Sequence, residues 1–331
     1  MNRMWIVLIA VIALIIVPWV GVGTAGLTML FGVGIPYVAW LTFFAGFIYR
    51  IVKWAQSPVP FHIPTVCGQQ RSLQWIKTNN CESPHSYWGV FLRMALEVLL
   101  FRSLLRNDRT ELKDRQKLVY SSNRFLWAGG LLFHWSLIII LFRHLRFFTE
   151  PLFPGISFVQ SLDALFHVGL PALYITDTVI VVALMYLFLR RVVFPQMRLI
   201  SLPSDYFALL LMIAIVLSGI LMRHFFKIDA EKAKELVLSM VSFRPVIPTA
   251  IGLPFYIHLF LVSTLIAYFP FSKLMHAPGV FFSPTRNLKN DSRARRHINP
   301  WGYPVKVHTY QEYEDEFREA MKEAGLPVEK E

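Results

Sequence analysis

The sequence predicts an all-α integral membrane fold with six transmembrane helices. Three observations carry this. Of the 331 residues, 55% are hydrophobic and only 16% charged. Mean hydropathy is +0.48. The apolar residues also gather in runs long enough to cross a bilayer. Residues 4–49 contain no Lys, Arg, Asp or Glu. A single helix over that stretch would measure ~69 Å, about twice a hydrocarbon core of ~30 Å. It must therefore break, and Pro18 followed by Gly21, Gly23, Thr24 and Gly26 marks the place.

Two spans are expected there, at 4–23 and 29–52, and four more at 125–148, 168–190, 205–225 and 251–272. Arg3 ahead of an apolar run also suits a secretory leader. The length of the run, the lack of a small-residue cleavage site after Pro18 and the immediate return of apolar sequence favour a retained helix. The segment 88–101 (WGVFLRMALEVLLF) tempts a further span, but it is short and carries Arg93 and Glu97, so it reads as an interfacial or partner-facing helix. The chain then divides into two N-terminal helices (1–54), a loop with that helix (55–124), a four-helix part (125–276) and a polar tail (277–331).

Charge sets the expected orientation. Of the 33 Lys and Arg, 26 fall at Arg3, in 50–124, in 190–204 and from Lys273 onward, against seven on the opposite side. The richer side is the cytoplasmic one, with both termini there. The net charge of +12 thus expresses sidedness and affinity for anionic lipid, and gives no reason to invoke nucleic acid. Cys67 and Cys81 lie too far apart for a C-x-x-C site, and two thiolates cannot hold an iron–sulfur cluster alone. The sequence has no Gly-rich phosphate loop, nucleophile elbow or H-E-x-x-H. In the tail, Tyr313, Phe317, Ala320, Met321 and Ala324 form an apolar stripe on an acidic helical pattern over 311–324. It suits docking to another subunit or folding back on the loop.

Four histidines hold the chemistry. His134 and His144 are ten residues apart on the third span, and His258 and His276 eighteen apart on the last. Ten residues turn a helix through two turns plus about 280°, and eighteen through about five whole turns, so each pair shares a face. A lone membrane histidine is usually an interhelical hydrogen bond. Four at coherent spacings on two antiparallel spans are better explained as axial ligands of two stacked haems. Opposite running directions pair His144 with His258 near the outer face and His134 with His276 near the cytosol. Ten residues rise ~15 Å and eighteen ~27 Å, so tilted axes and a kink or early end at Pro270 must absorb the difference.

These spacings resemble the cytochrome b (gamma) subunit of respiratory nitrate reductase, a family with a five-helix core whose second and fifth helices carry the ligands. The core here would be spans two to six, over about 28–280, with one extra helix in front. The long loop and the junction HAPGVFFSPTRN at 276–287 are similar to membrane subunits that pair with heterodisulfide-reductase-like iron–sulfur proteins. The finer resemblance is to the cytochrome b subunit of the Dsr (Hme) complex of sulfate- or sulfur-metabolising prokaryotes. It implies two b haems and menaquinol oxidation near the outer face. Electrons would go to a cytoplasmic iron–sulfur subunit, with further membrane and extracytoplasmic subunits in the complex. By neighbourhood with the family's quinol residue, Asp163 and His167 become candidates for handling its protons, and Asp177, inside a span, a third, with Tyr174 as its hydrogen-bond partner. Arg143 and Arg146 are placed for haem propionates or interfacial snorkelling. His224 reads as interfacial. The rival classes are a transporter, against which the lack of internal repeats counts, and a haem-free membrane anchor.

Overall fold

A computed structural model describes residues 2–58, 68–106, 109–113, 117–165, 173–249, 251–283, 285–294 and 307–330. In chain order the elements begin with α1 (Asn2–Gly23) and a π-helical turn, Leu30–Gly34, that runs into α2 (Ile35–Ala55). Next come α3 (Tyr87–Leu100), the single turn α4 (Arg102–Leu105), β1 (Arg109–Lys113) and β2 (Lys117–Ser121). The membrane helices resume with α5 (Arg124–His144), followed by α6 (Pro154–Asp163), α7 (Ile175–Val193) and α8 (Pro195–Ile200). Then α9 (Pro203–Ile220) is prolonged by a second π turn, Leu221–Phe225. The chain closes with α10 (Ala230–Val241), α11 (Leu253–Tyr268), α12 (His276–Gly279) and α13 (Tyr310–Glu323).

Among the described residues, five helices are long and apolar enough to cross a membrane: Arg3–Gly23, Leu30–Ala55, Arg124–Phe147, Pro203–Phe225 and Leu253–Phe271. The span expected at 168–190 corresponds to α7, described from Ile175, which carries Asp177, Arg190 and Arg191 in its 19 residues and is not among these five. Residues 166–172 at its head, including His167, lie outside the described set. The helix nevertheless packs inside the bundle, between α5 and α9. The hairpin of β1 and β2, antiparallel with Glu111 opposite Val119, was not anticipated. Its dense charges read as loop.

Close helix contacts explain the small residues. A Cβ on Gly129 would meet the Tyr186 ring at 2.6 Å, so this glycine lets α5 lie against α7. On α2, Gly46 faces the end of α11, where an added Cβ would sit 2.8 Å from Cβ of Pro270. α1 packs on α9 and α11, and α2 along α11. One end of the bundle is closed by Phe31, Val33, Ala233, Leu236, Ile251 and Phe255, with Tyr37 donating to the carbonyl of Met240 at 2.8 Å. At the opposite end Asp205 ties the start of α9 to Lys273 at 2.8 Å, with Arg191 at 3.8 Å.

That second end also carries α3, α4 and the tail junction. The Asn290 amide N–H donates to the Pro84 carbonyl at 2.7 Å, and its buried side chain donates to Ser83 at 3.3 Å. The junction therefore folds back on the loop. α13 opens with a Thr309–Glu312 capping box. Its Glu314 accepts the N–H groups of Glu329 and Lys330 at 2.9 and 2.8 Å, and these bonds hold that carboxyl below its ordinary range. Tyr313 and Phe317 remain exposed.

The approach of Gly46 to Pro270 gives a test. Gly46→Leu should destabilise the detergent-solubilised protein by about 1–3 kcal/mol through overpacking, with Gly46→Ala intermediate. Thermal unfolding followed by circular dichroism reads this out, and an unchanged midpoint for the leucine variant would refute the close packing.

Candidate functional site

The four histidines singled out in the sequence lie toward the two ends of α5. α11 ends at Tyr268 and continues as a 3-10 turn, Phe269–Phe271, containing Pro270. Ser272 is extended, with φ −113° and ψ 176°, and a second 3-10 turn, Lys273–Met275, delivers His276. Proline removes a backbone donor and clashes with the preceding turn, so the helix stops where the rise mismatch requires it to. The rings of His134 and His276 lie 6.0 Å apart, centroid to centroid. At the other end of α5, His144 is within charge–charge reach of His258.

Each histidine is oriented through Nδ1. His134 donates to the Gly130 carbonyl at 2.7 Å, His144 to that of Ile140 at 2.7 Å, and His276 to that of Lys273 at 2.8 Å. A carbonyl only accepts, so Nδ1 carries the hydrogen in all three and the neutral ring presents its lone pair at Nε2. His258 Nδ1 lies 2.9 Å from Oγ of Ser218. That hydroxyl spends its own proton on the Ile215 carbonyl at 2.9 Å, so it accepts from the ring. Gly219 leaves room for this imidazole, since a Cβ there would stand 3.2 Å from its Cε1.

This is the second-sphere pattern of metal-ligating histidine. A centroid separation of 6.0 Å accommodates one ion between two nitrogens, each contributing ~2 Å of metal–nitrogen bond and about 1 Å from nitrogen to ring centre. Among the described residues, no three His, Cys, Asp or Glu side chains converge as an all-protein metal site would need. Facing pairs suit a macrocycle that supplies the remaining ligands itself.

Beside His144 lies a buried polar network. Arg143 forms a salt bridge with Asp163 and donates to Thr176 Oγ1 at 3.0 Å. Asp163 also accepts the Thr176 amide at 3.0 Å and its hydroxyl at 2.6 Å. Asp177 stands 3.8 Å from Arg143 and accepts from His224 Nε2 at 3.1 Å. The Tyr174 ring is held between two guanidinium groups, those of Arg143 and Arg223, each 4.2 Å from its centre. Its hydroxyl accepts from Arg223. His144 senses the charges of Arg143, Arg223 and Asp177.

Several expectations change here. Arg143 is engaged by Asp163, Thr176 and the Tyr174 ring, while its buried Nε has no hydrogen-bond partner among the described residues. Arg146 bonds Gln160 at 3.3 Å and, with Gln160, Ser161, Ala164 and Lys234, lines a cavity of about 520 Å³ between α6 and α10. Asp163 is saturated by its partners and braces α6 against α7. The partner of Asp177 is His224, whereas Tyr174 pairs with Arg223. His224 is not merely interfacial: it lies in the π turn Leu221–Phe225, its side chain is only 11% exposed, and its Nε2 bonds Asp177. Thr176, Ser218 and Arg223 went unrecognised in the sequence. The only signal for Arg223 was a basic residue directly before a histidine at the end of an apolar span.

The sequence model of the nitrate reductase gamma subunit family matches residues 85–296, which contain both histidine pairs. The match opens at α3, so α1 and α2 lie ahead of it, and the expected start near residue 28 is corrected. The chain is 47% identical over 280 residues to an Archaeoglobus fulgidus protein named Hdr-like menaquinol oxidoreductase cytochrome b-like subunit, covering 82% of this chain and 83% of that protein. The protein of the same name from Archaeoglobus profundus is 42% identical over 274 residues, 81% of each chain. The nitrate reductase gamma chain of Bacillus subtilis is 25% identical over 222 residues, 61% of this chain and 92% of that one. With its histidine pairs, its helical bundle and this match over most of its length, the chain belongs to the nitrate reductase gamma subunit family.

Proposed function

We propose that this chain is the membrane cytochrome b subunit of a menaquinol oxidoreductase complex. In this reading it binds two b haems, oxidises menaquinol near the outer face and supplies electrons to a cytoplasmic, heterodisulfide-reductase-like iron–sulfur subunit in sulfite, sulfate or sulfur metabolism. The observation that carries the reading is the pair of facing histidines at each end of α5, every Nδ1 tethered and every Nε2 left for a ligand. The names of the Archaeoglobus relatives support menaquinol as the reductant. The Lys and Arg bias supports a cytoplasmic location for both termini and for the α3 end, in a six-span topology with α7 as the fourth span.

His144 with His258 would hold the outer haem and His134 with His276 the inner one. Bound there, the haems supply one-electron carriers at two depths. The tethers on Nδ1 hold each ring in one orientation and raise its basicity as a ligand. Quinol oxidation releases two electrons and two protons. The protein's part is to take those protons in an apolar bundle. His224 donates Nε2–H to Asp177, which leaves Nδ1 to accept a quinol proton while the carboxylate stabilises the imidazolium formed. Arg143 and Arg223 each stack on the Tyr174 ring, and the cavity lined by Arg146 and Gln160 lies between α6 and α10. His167 keeps its candidacy, at a position outside the described residues.

Two haems per chain are expected by pyridine haemochrome assay, and a value near zero in folded protein would sink the reading. His144→Ala and His258→Ala should each remove the same haem and abolish reduction by a menaquinol analogue. His134→Ala and His276→Ala should remove the other while leaving quinol reduction of the first intact. Loss of different haems within either couple would refute the pairing.

His224→Gln and Asp177→Asn should slow haem reduction by the quinol analogue roughly 10²–10⁴-fold, with the visible spectrum unchanged. Asp163→Asn should act instead on stability, by loosening α6 from α7. Wild-type reduction rates in both dyad variants would exclude the dyad from proton handling.

The iron–sulfur partner is expected at the α3 end, where the loop and the junction meet. Ending the chain at Ala294 keeps the Asn290 contacts with Ser83 and Pro84 but removes α13. It should leave both haems in place and release the partner during detergent purification. Undiminished co-purification would move docking to the loop.

A further inference from the structure

The polarity of α3 is the reverse of what water selects. Its only two charged residues are buried, Arg93 at 4% exposed and Glu97 at 7%. Tyr87, Trp88, Phe91, Leu92, Leu99 and Leu100 are exposed instead, Trp88 to 82% and Phe91 to 68%. A helix on an aqueous surface carries the opposite pattern. The polar side of α3 is covered from within the chain. A Cβ on Gly89 would meet that of Pro84 at 2.8 Å. Glu82, just ahead of Pro84, binds Arg102 at 2.6 Å and Arg106 at 2.8 Å. The junction covers the same segment, because Asn290 donates to Ser83 and Pro84.

The far end of α3 is fixed at a definite level on a membrane span. The indole N–H groups of Trp127 and Trp135 donate to the carbonyls of Leu100 and Leu99 at 2.7 and 3.0 Å. The helix that carries them, Arg124–Phe147, is long and apolar enough to cross a bilayer. Trp127 and Trp135 stand about 5 and 17 Å along its axis from Arg124. Phe101, directly after α3, sets its ring 4.9 Å from that of His134 on the same helix. Leu104 lies 3.6 Å from where a Cβ of Gly130 would stand. The end of α3 and the turn after it therefore sit at a level inside the span. Trp135 is itself 40% exposed, so the apolar face of α3 joins the surface that this span turns to lipid.

The backbone is finished to match. The last carbonyls of a helix find no partner within it, and at an aqueous end water serves them. Here protein donors do so. The indoles take Leu99 and Leu100, and the Phe101 amide donates to the Glu97 carbonyl at 3.1 Å. The Leu104 amide donates to the Phe101 carbonyl at 2.9 Å. The Glu97 carboxylate accepts both the amide and the hydroxyl of Ser103. These bonds hold Phe101 in a left-handed conformation, φ 49°, which is costly for a bulky side chain. Non-helical backbone at membrane depth needs internal pairing of this kind.

We infer that α3 is a membrane-embedded helix that does not cross, with its Trp88, Phe91 and Leu92 face among the acyl chains of the leaflet on the His134–His276 side. Its 14 residues rise about 21 Å, short of a core of ~30 Å. Apolar residues on one side and a charged side turned away from lipid are the pattern of such a helix. This placement is independent of haem binding. It leaves the loop and the junction, on the opposite side of α3, as the surface open to a soluble partner.

The test uses the full chain with its co-purifying subunits in phospholipid vesicles, with Cys67→Ser and Cys81→Ser to clear the native thiols. A nitroxide is attached at Trp88→Cys or Phe91→Cys. Its collisions with oxygen, which partitions into lipid, are compared with those of a water-soluble nickel chelate. Ile138→Cys on α5 and Glu235→Cys on α10, both exposed positions, serve as the lipid and water references. The oxygen-to-nickel ratio at the two α3 positions should match that of the α5 reference and exceed that of the α10 reference severalfold. A ratio like that of the α10 reference would put the face in water and overturn the inference. Protection from both reagents would assign the face to a second subunit and overturn it equally. If the labelled variants fail to accumulate, a membrane-partitioned carbene precursor reads the unaltered chain. Mass spectrometry should then find adducts on the α3 peptide, and adducts confined to the membrane spans would overturn the inference. None of these outcomes alters the haem count, so the functional reading stands or falls separately.

Discussion

The interruption of the last helix at Pro270 is the constraint on which the rest depends. Two antiparallel helices with histidines ten and eighteen residues apart cannot face each other twice if both run straight. Ending α11 at Tyr268, extending Ser272 and winding two short 3-10 turns let the chain reach His276 without the full helical rise. Gly46 on α2 and the Asp205–Lys273 ion pair hold that break from two sides. Helices that contribute no ligand therefore set the distance between those that do.

The second organising feature is the cost of charge in an apolar bundle. Arg143, Asp163 and Asp177 are all buried, and each has a counter-charge or a hydrogen bond. The arrangement separates duties. Asp163 is saturated by Arg143 and Thr176 and cross-links α6 with α7. Asp177 accepts from the His224 imidazole and stands 3.8 Å from Arg143. Two carboxylates fourteen positions apart thus occupy one network with different chemical freedom, set by how many donors each has been given.

Much of this was legible in the sequence, and the division is physical. Helices α1, α2, α5, α9 and α11 follow from hydropathy because lipid demands unbroken apolar length, and the histidine faces follow from helical period. The need for a break at Pro270 was visible from rise alone. What the sequence hid depended largely on packing between helices. His224 looked interfacial because it stands at the end of its span, and its bond to Asp177 joins residues 47 positions apart, a pairing that only the packing of the helices reveals. Tyr174 and Asp177, close in sequence, suggested each other as partners, whereas each is bonded to a residue on α9. The hairpin of β1 and β2 escaped because local charge density outweighs alternation in so short a stretch.

Both histidine pairs join the middle of the chain to its last membrane helix. His134 and His144 leave the ribosome early in the matched region, whereas His258 and the segment after Pro270 emerge near its end. Neither site exists in any N-terminal fragment, and the inner one further requires the chain to have turned at Ser272 against a helix inserted long before. In the proposed function, cofactor capture would therefore wait on completion of synthesis. A stalled or truncated product exposes single histidines to lipid but never presents a facing pair, so the architecture itself discriminates finished subunits from unfinished ones before any partner is recruited.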